Sequence, residues 1–489
     1  MKLFIDVPSQ LRPRVEYAWQ EFALRLGVAL QLEDTIESAH WVYTNSNCSA
    51  LSGKEVIRCE PEWYFEKKLS ATLRQAYQNY LEPGFDCIGL TFRLLTFLDE
   101  QEIGENCRDD RGIFYSSVLP EWRQAVAARP LVDECALAFK ARYENLLGET
   151  ETLWPGGKKS ALVVTHDTDA LQLGSMNELC ALVAKWARRR LPVYKDLLWA
   201  SLKARRAPII QDPYFCFQNW ADLENQFAAK SCFLLSTAAF GTHRTLNDCK
   251  SYFHPKTDDA LWQPLRTLSQ QGWEFGLHAG IEAKKSLDYF IHAKKFLEEK
   301  LETPIWGLRH HYWALDWEKP HRTHRKHVNA GFRYDMSIAW RDIPGFRAGT
   351  ALPYRPYDLE REKPLDMYVF PTCLLEKHVL PTADAKLRGF SDEGIALEAA
   401  MHVLKLIQER GLCAVVDWHT ETGCNQWLFA GFTDSFLALL QSQLSDPTIF
   451  VGTPHELTRH WHRRRMKLTS LGRGQWSKQA SSVLSAVGT

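Results

Sequence analysis

The sequence predicts an α/β protein: a distorted (β/α) barrel of about seven strands, preceded by a smaller α/β domain. Three observations support this. Strand-like runs alternate with helix-like runs over most of the chain, several of those strands end in polar residues, and 489 residues exceed one ordinary core. We expect residues 1–152 to form the smaller domain, residues 158–462 the barrel, and residues 463–489 a basic, disordered tail.

The N-terminal segment has the pattern of a separate α/β unit. "KLFIDV", "ALQLE" and "HWVYTN" are typical of strands, and "PRVEYAWQEFALRLG" has a helical period that Gly27 stops. "GLTFRLLTFLDEQEI" and "LVDECALAFKARYENLLG" indicate amphipathic helices. The segment groups no titratable residues in a way that suggests chemistry, so its role is left open. "LWPGGKKS", residues 153–160, marks the boundary.

The barrel is predicted from strand-like runs separated by helices such as "LWQPLRTLSQQG" and "KKSLDYFIHAKKFLEEKLE". The runs are "ALVVTHDTD", "SCFLLST", "WEFGLHAG", "IWGLRHHYW", "FRYDMSIAW", "DMYVFPTCLL", "CAVVDWHTE" and "TIFVGTP". Active sites of barrels lie at the carboxyl ends of the strands, so polar residues there predict a site. Those residues are His166, Asp167, Asp169, His278, Arg309, His310, His311, Asp335, Asp417 and His419.

Composition narrows the class of protein. Lys plus Arg equals Asp plus Glu, 59 against 59, so the global charge favours neither nucleic acid nor an anionic membrane as a partner. The 12 cysteines form no CxxC pair, which argues against zinc ribbons and suits thiols kept reduced in the cytosol. "MKLFIDVPSQ" reaches Asp6 and Pro8 too early for a signal peptide, and no apolar run approaches about 18 residues. We expect a soluble, cytoplasmic protein.

One internal stretch is strongly basic. "KWARRRLPVYKDLLWASLKARRAP", residues 185–208, mixes cations with Trp and Leu. It predicts either a peripheral contact with a membrane surface, an anionic glycan or a biosynthetic complex, or a solvated insertion helix after the first barrel strand. The oligomeric state is left open.

Two carboxylates follow the buried run "ALVV". Asp167 and Asp169 in "THDTD" would each cost several kcal/mol in a core unless paired or bound to metal. At a strand end, the turn can direct one toward a metal and the other toward a water. "EFGLHAGIE" adds His278, and Glu282 lies on the same side if a helix begins near Ala279. Asp and His predict a divalent metal ion, zinc by preference.

These motifs, in this order, resemble the NodB-homology polysaccharide deacetylases (carbohydrate esterase family four). "RPLVDECAL", "GLRHHYW", "AGFRYDMSIAWRDIPGFRAGTALPYRPYDL" and "VVDWHT" are similar to a branch with an N-terminal α/β domain of unknown role. The likeness spans roughly residues 90 to 460. It implies a NodB-like barrel and metal-dependent removal of N-acetyl groups from an amino-sugar polysaccharide or its precursor.

The resemblance also implies roles for individual residues. It makes Asp167 the catalytic base, Asp169 a metal ligand, and His278 the first histidine of an HxxxH motif. The second histidine of that motif falls on Glu282, which is a departure from the family. The third metal ligand is therefore either Glu282 or His311, which comes from the neighbouring strand end.

On the same resemblance, Arg309 orients Asp167, and we expect a bidentate ion pair between them. His419 is expected to protonate the departing amine, with Asp417 a candidate to hold its ring.

Other polar residues near these strand ends have simpler expected roles. We expect His310 to point away from the site, His166 to be packed behind it, and Asp335 to pair with an arginine such as Arg347.

Three functions remain open. The first is a metal-dependent deacetylase acting on an acetylated amino sugar. The second is hydrolysis of another C–N bond, such as a cyclic amide. The third is a non-catalytic member that binds glycan or scaffolds a biosynthetic complex, an alternative motivated by the missing second histidine.

Overall fold

The structure, a computed structural model, describes residues 1–46, 53–65, 68–109, 112–189, 192–237, 261–380 and 393–472. The strands are β1 (Lys2–Asp6), β2 (Gln31–Leu32), β3 (Trp41–Thr44), β4 (Glu55–Arg58), β5 (Ser160–Thr168), β6 (Cys232–Leu235), β7 (Glu274–Ala279), β8 (Gly307–His310), β9 (Tyr334–Asp335), β10 (Tyr357–Asp358), β11 (Lys363–Pro364), β12 (Tyr368–Val369), β13 (Leu374–Leu375), β14 (Cys413–Asp417) and β15 (Ile449–Val451).

The helices cover the faces of the two main sheets. They are α1 (Arg12–Leu26), α2 (Glu62–Phe65), α3 (Ala71–Ala76), α4 (Cys87–Leu95), α5 (Glu121–Gln124), α6 (Leu131–Arg142), α7 (Glu144–Leu147), α8 (Met176–Arg189), α9 (Pro192–Ala204), α10 (Phe217–Asn225), α11 (Trp262–Gln270), α12 (Leu287–Leu301), α13 (Pro320–Asn329), α14 (Glu393–Glu409), α15 (Phe432–Leu444) and α16 (Pro454–Gly472).

The N-terminal segment forms a four-stranded parallel sheet in the order β2-β1-β3-β4. Helix α1 ends at Gly27, whose φ of 77° is readily adopted only by glycine, so the chain turns back there. The strands and helices expected in this segment are present, although "ALQLE" pairs over only two residues.

The large sheet has the order β12-β9-β8-β7-β6-β5-β14-β13, with β15 also paired to β5. All of these pairs are parallel. Strand β5 is buried along all nine residues, as a strand covered on both faces should be. Its Thr165 pairs with both Asp417 and Cys232, so β14 and β6 lie on opposite sides of it.

This sheet is curled into a distorted barrel. Its two ends, β12 and β13, are joined by residues 370–373, which span at most about 18 Å. Within that link Phe370 donates to the Asp335 carbonyl, and Cys373 donates to the Val415 carbonyl. The link thereby connects both ends of the sheet, and the predicted fold class is confirmed. Within the described residues the sheet has nine strands rather than about seven, because "DMYVFPTCLL" makes two short strands and "TIFVGTP" pairs with β5 on the same side as β6.

Buried ion pairs fasten the N-terminal segment to the barrel. Arg347 donates to both carboxylate oxygens of Glu100, at 2.9 and 2.8 Å. Asp133 accepts from Arg25 at 3.1 Å and from the Ala351 backbone N–H at 2.7 Å. The expectation that Arg347 pairs with Asp335 is therefore wrong. The division at residues 152 and 158 stays a prediction.

The C-terminal region differs from the expectation. Residues 463–472 belong to helix α16, which buries Trp461 and Arg464 among other residues, so the tail is not disordered from residue 463 onward. Arg464 donates to the Leu24 carbonyl at 2.6 Å, which fastens this helix to the N-terminal segment. Residues 473–489 lie outside the described residues. No helix within the described ranges is long and apolar enough to cross a membrane.

The contact between β8 and β9 generates a stability prediction. A Cβ on Gly307 would lie 1.9 Å from two ring atoms of Tyr334. We expect Gly307→Ala to lower the free energy of unfolding by about 1–3 kcal/mol, because a methyl group there overpacks the core. Urea unfolding measures this. The matched control is Gly104→Ala, where only the exposed Asn106 side chain must move. Equal losses in the two variants would contradict this packing.

Candidate metal and catalytic site

The carboxyl ends of the parallel strands meet at one rim and bring six of the seven predicted site residues together. Asp167 lies in β5 and Asp169 directly follows it, while His278 lies in β7 and Arg309 in β8. Strand β7 pairs His278 with Arg309 across the sheet. The other two of the six, His311 and His419, follow β8 and β14.

Asp167 is held by a buried arginine. Arg309 has no exposed surface, and its Nη1 donates to Asp167 Oδ1 at 2.9 Å. Burial would raise the pKa of Asp167, but the charges of Arg309 and His278 outweigh it and the pKa is lowered. The carboxylate is therefore ionised at neutral pH. The expected bidentate pair is not formed, because Arg309 also donates to the Met336 carbonyl and to Thr372 Oγ1.

The same guanidinium lies beside a second carboxyl group, Asp417. Arg309 Nη1 is 3.0 Å from Asp417 Oδ1, which also accepts the Asp167 backbone N–H at 3.2 Å. Burial and the charge of Asp167 raise the pKa of Asp417 to about 8, against the opposing effect of Arg309. One cation thus serves two carboxyl groups, of which Asp167 is ionised and Asp417 carries a proton at neutral pH.

Three imidazole rings surround the carboxylate of Asp169. Its Oδ1 lies 3.1 Å from His278 Nε2 and 3.4 Å from His311 Nε2, and its Oδ2 lies 3.3 Å from His419 Nε2. Burial would raise the pKa of Asp169, but the charges of His311 and His419 and hydrogen bonds from His278 and His311 lower it well below its ordinary value. The Asp169 side chain is 22% exposed, so ligands can reach it from solvent.

The donor set fits a divalent metal. Ligand atoms of Asp169, His278 and His311 all lie within 4.8 Å of one another. At a metal–ligand distance of about 2.1 Å, neighbouring corners of a tetrahedron are about 3.4 Å apart, and the two separations to Asp169 Oδ1, 3.1 and 3.4 Å, are close to that value.

Two other groups of possible ligands occur in the described part of the chain. In each, an arginine already lies beside the carboxylates: Arg309 beside Asp167 and Asp417, and Arg325 beside Asp358. A resident cation disfavours a metal ion in the same place. The Asp169 group is therefore the best candidate among the three.

The structure places Glu282 apart from this group. Residues Ile281–Lys285 form a short 3₁₀ helix after Gly280, whose backbone is extended, so no α-helix begins at Ala279. The i,i+4 spacing of His278 and Glu282 therefore does not bring them to one face, and Glu282 instead pairs with Lys285 at 2.5 Å. His311 takes the position beside Asp169, and the chain turns directly after it at Tyr312, which has a φ of 55°.

His419 is held by a residue that the sequence reasoning missed. Its Nδ1 lies 2.8 Å from Glu376 Oε1 but 4.0 Å from Asp417 Oδ2, so the expectation for Asp417 is wrong. Burial would lower the pKa of His419, but the charge of Glu376 outweighs it and the pKa is raised well above the ordinary value. Lys377 Nζ lies 3.3 Å from His419 Nε2. Both Glu376 and Lys377 follow strand β13, the same strand-end signal used elsewhere.

His166 and His310 face away from the site. His166 contacts Glu224 and the Trp418 carbonyl through its two ring nitrogens, at 2.8 and 2.6 Å. His310 contacts His327 at 2.9 Å, and His327 lies 2.9 Å from Asp335. Both histidines are fully buried. Each is next in sequence to a site residue, Asp167 or Arg309, so its side chain points to the opposite face of the strand.

No family model and no curated protein matches the chain. Solved structures similar to it include Puue allantoinase, with a TM-score of 0.40 and 13% identity over 65% of this chain and 95% of that chain. A probable polysaccharide deacetylase from Pseudomonas aeruginosa PAO1 has a TM-score of 0.39 and 15% identity, over 63% and 93%. A polysaccharide deacetylase from Bacillus cereus has a TM-score of 0.30 and 10% identity, over 63% and 100%. These are likenesses at low identity, and the function proposed below rests on the site itself.

The geometry of this site predicts which side chains hold a metal. We expect wild-type protein to contain about one divalent ion per chain, and expect Asp169→Ala and His311→Ala to lose it. Glu282→Ala is the control and should keep it, because Glu282 lies apart from the donor group. Metal content by mass spectrometry measures all four proteins. Loss in Glu282→Ala with retention in His311→Ala would reverse this ligand assignment.

Proposed function

We propose that this protein is a metal-dependent hydrolase that removes N-acetyl groups from an amino-sugar polysaccharide or its precursor. The observation that carries the proposal is that groups suited to act as base and as acid both lie close to Asp169. An ionised carboxylate, Asp167, and a histidine with a raised pKa, His419, both lie beside the donor group, and a carboxylate oxygen of Asp167 is within 4.8 Å of a ring nitrogen of His419. Hydrolysis of an amide needs such a base and such an acid, facing one substrate position.

Asp167 is suited to act as the base. Its Oδ1 is engaged by Arg309, while its Oδ2 lies 3.6 Å from His278 Nδ1, too far for a hydrogen bond. That oxygen is available to accept a proton from the attacking water. Arg309 keeps Asp167 ionised and fixes its orientation, so it acts as a positioning residue.

His419 is suited to act as the acid. Glu376 contacts Nδ1, which fixes the ring and leaves Nε2 directed at Asp169. As the bond from the carbonyl carbon to the water oxygen forms and the C–N bond breaks, Nε2 donates its proton to the departing nitrogen. The products are acetate and a free amino sugar.

A divalent metal bound by Asp169, His278 and His311 supplies Lewis acidity, polarising the acetyl carbonyl and lowering the pKa of water. Zinc suits this set of one carboxylate and two imidazoles. We also propose a cytoplasmic location, which is supported by the free, largely buried cysteines of the described residues.

The role of Asp167 is tested by its isosteric amide. We expect Asp167→Asn to lower acetate release by about 10²–10⁴-fold, because the amide cannot accept the proton. Acetate release from oligomers of N-acetylglucosamine measures the effect, and metal content shows that the site is intact. Asp222→Asn, on the exposed surface of α10, is the control. Normal turnover in Asp167→Asn would contradict the assignment.

The role of Glu376 is tested by pH dependence. A general acid must be protonated, so activity is lost as pH rises through the pKa of His419. Glu376 raises that pKa, so Glu376→Gln should lower it and move the alkaline limb of the kcat profile to lower pH. An alkaline limb that does not move would show that Glu376 does not tune His419. Failure of wild type to release acetate from any acetylated sugar would favour the glycan-binding alternative.

A further inference from the structure

Helices α8 and α9 form an insertion directly after the strand that carries Asp167. The two helices pack against each other, and we call them the 176–204 hairpin; residues 190 and 191 between them lie outside the described ranges. Leu173 donates its backbone N–H to Asp212 at 2.8 Å, and its carbonyl accepts from Ser201 at 2.8 Å. Leu173 is four residues from Asp169, a span of at most about 14 Å. The base of the hairpin therefore lies at the rim of the candidate site.

The inner face of the hairpin packs on a chain segment that follows His419. Leu182, Tyr194 and Leu197 form an apolar cluster against which the segment Trp427–Phe429 packs. That segment follows His419 by eight residues. The hairpin is thus fixed beside the chain segments that follow both the base and the acid.

The outer face of α9 is apolar at its centre. Trp199 is 67% exposed and Leu202 is 44% exposed. At 100° per residue, Trp199 lies opposite the buried stripe of the same helix, and Lys195 and Lys203 lie one turn before and after it. Both lysines are exposed. Trp199 and Leu202 are three residues apart on the helix and therefore adjacent, and exposed apolar side chains that cluster mark an interaction surface, whereas singly scattered ones do not.

The charge of residues 185–208 indicates which class of partner the hairpin would bind. Residues 185–208 contain eight Lys or Arg and one Asp, in a chain whose total Lys plus Arg equals its total Asp plus Glu. Met176 and Val183 on α8 are also about half exposed, which adds apolar area beside these cations. Cations alone would suit nucleic acid or an acidic glycan, whereas cations around exposed Trp, Leu, Met and Val complement an anionic lipid surface.

We propose that the outer face of the 176–204 hairpin docks on an anionic membrane surface, through Trp199 and Leu202 with Lys195 and Lys203 around them. The hairpin stands at the rim of the candidate site, so docking would bring that site close to lipid headgroups. The matching substrate class is an acetylated saccharide linked to a lipid. This second step rests on the proposed deacetylase function, whereas the docking itself does not.

Vesicle flotation tests the docking. Wild-type protein is mixed with vesicles of phosphatidylcholine alone or of phosphatidylcholine with phosphatidylglycerol. We expect binding only to the anionic vesicles, and weaker binding at high salt. Lys195→Gln/Lys203→Gln should weaken binding about 30-fold, since each cation near an anionic surface contributes a factor of about five. Trp199→Ala should weaken it roughly tenfold through lost apolar burial.

Matched controls separate this surface from general charge and hydrophobicity. Lys295→Gln/Lys405→Gln removes two exposed helical lysines elsewhere, and Leu146→Ala removes another exposed apolar side chain. Both should float like wild type. Absence of wild-type binding to anionic vesicles would overturn the proposal, and so would equal binding by the hairpin variants and wild type.

The same proteins distinguish docking from catalysis. Trp199→Ala should release acetate from a soluble acetylated oligosaccharide at the wild-type rate, because Trp199 lies on the exposed face of α9, opposite its buried residues. A wild-type protein that floats with anionic vesicles yet releases no acetate from any acetylated sugar would overturn the proposed function and leave the docking standing. Acetate release without vesicle binding would overturn the docking proposal and leave the proposed function standing.

Discussion

The arrangement of the site depends on one buried guanidinium. Arg309 contacts Asp167 of β5 and Asp417 of β14, and it reaches Thr372 in the link between β12 and β13. A buried cation costs several kcal/mol unless it is paired and hydrogen-bonded, so the strands that supply its partners must close around it. The curl of the sheet and the orientation of the base follow from the same interaction.

The charge of Arg309 also affects which of the neighbouring carboxyl groups is protonated. Two carboxyl groups share one positive charge in a buried place, so burial and mutual repulsion leave Asp417 protonated while Asp167 stays ionised. Beside Asp169, Glu376 stabilises the cationic form of His419. An ionised carboxylate, Asp167, and a protonated imidazole, His419, are thereby present at the same pH. Combined acid and base catalysis requires such a pair.

The sequence predicted the fold class and the position of the candidate site at the carboxyl ends of the strands, because both follow from short-range signals. A buried apolar run that ends in a polar residue marks the tip of a parallel strand, and the structure brings Asp167, Asp169, His278, Arg309 and His419 together on that basis. Their catalytic and metal-binding roles stay predictions.

The contacts between neighbouring strands could not be predicted from the sequence. Glu376 was missed because β13 pairs over only two residues, and nothing local shows that its end lies beside His419. The choice between Glu282 and His311 depended on backbone turns after β7 and β8, where a 3₁₀ segment replaced the expected helix. Pattern alone does not fix such turns, because they are decided by packing with neighbouring strands.

The junction between the N-terminal segment and the barrel has a consequence for how the protein unfolds. Glu100 and Asp133 are buried, and their partners Arg347, Thr350 and Ala351 lie on the barrel side. Separating the two parts would break these buried contacts, and it would expose to water the apolar side chains that residues of both parts contribute to one core cluster. The segment without assigned chemistry and the barrel should therefore unfold together, as one cooperative unit with a single thermal transition.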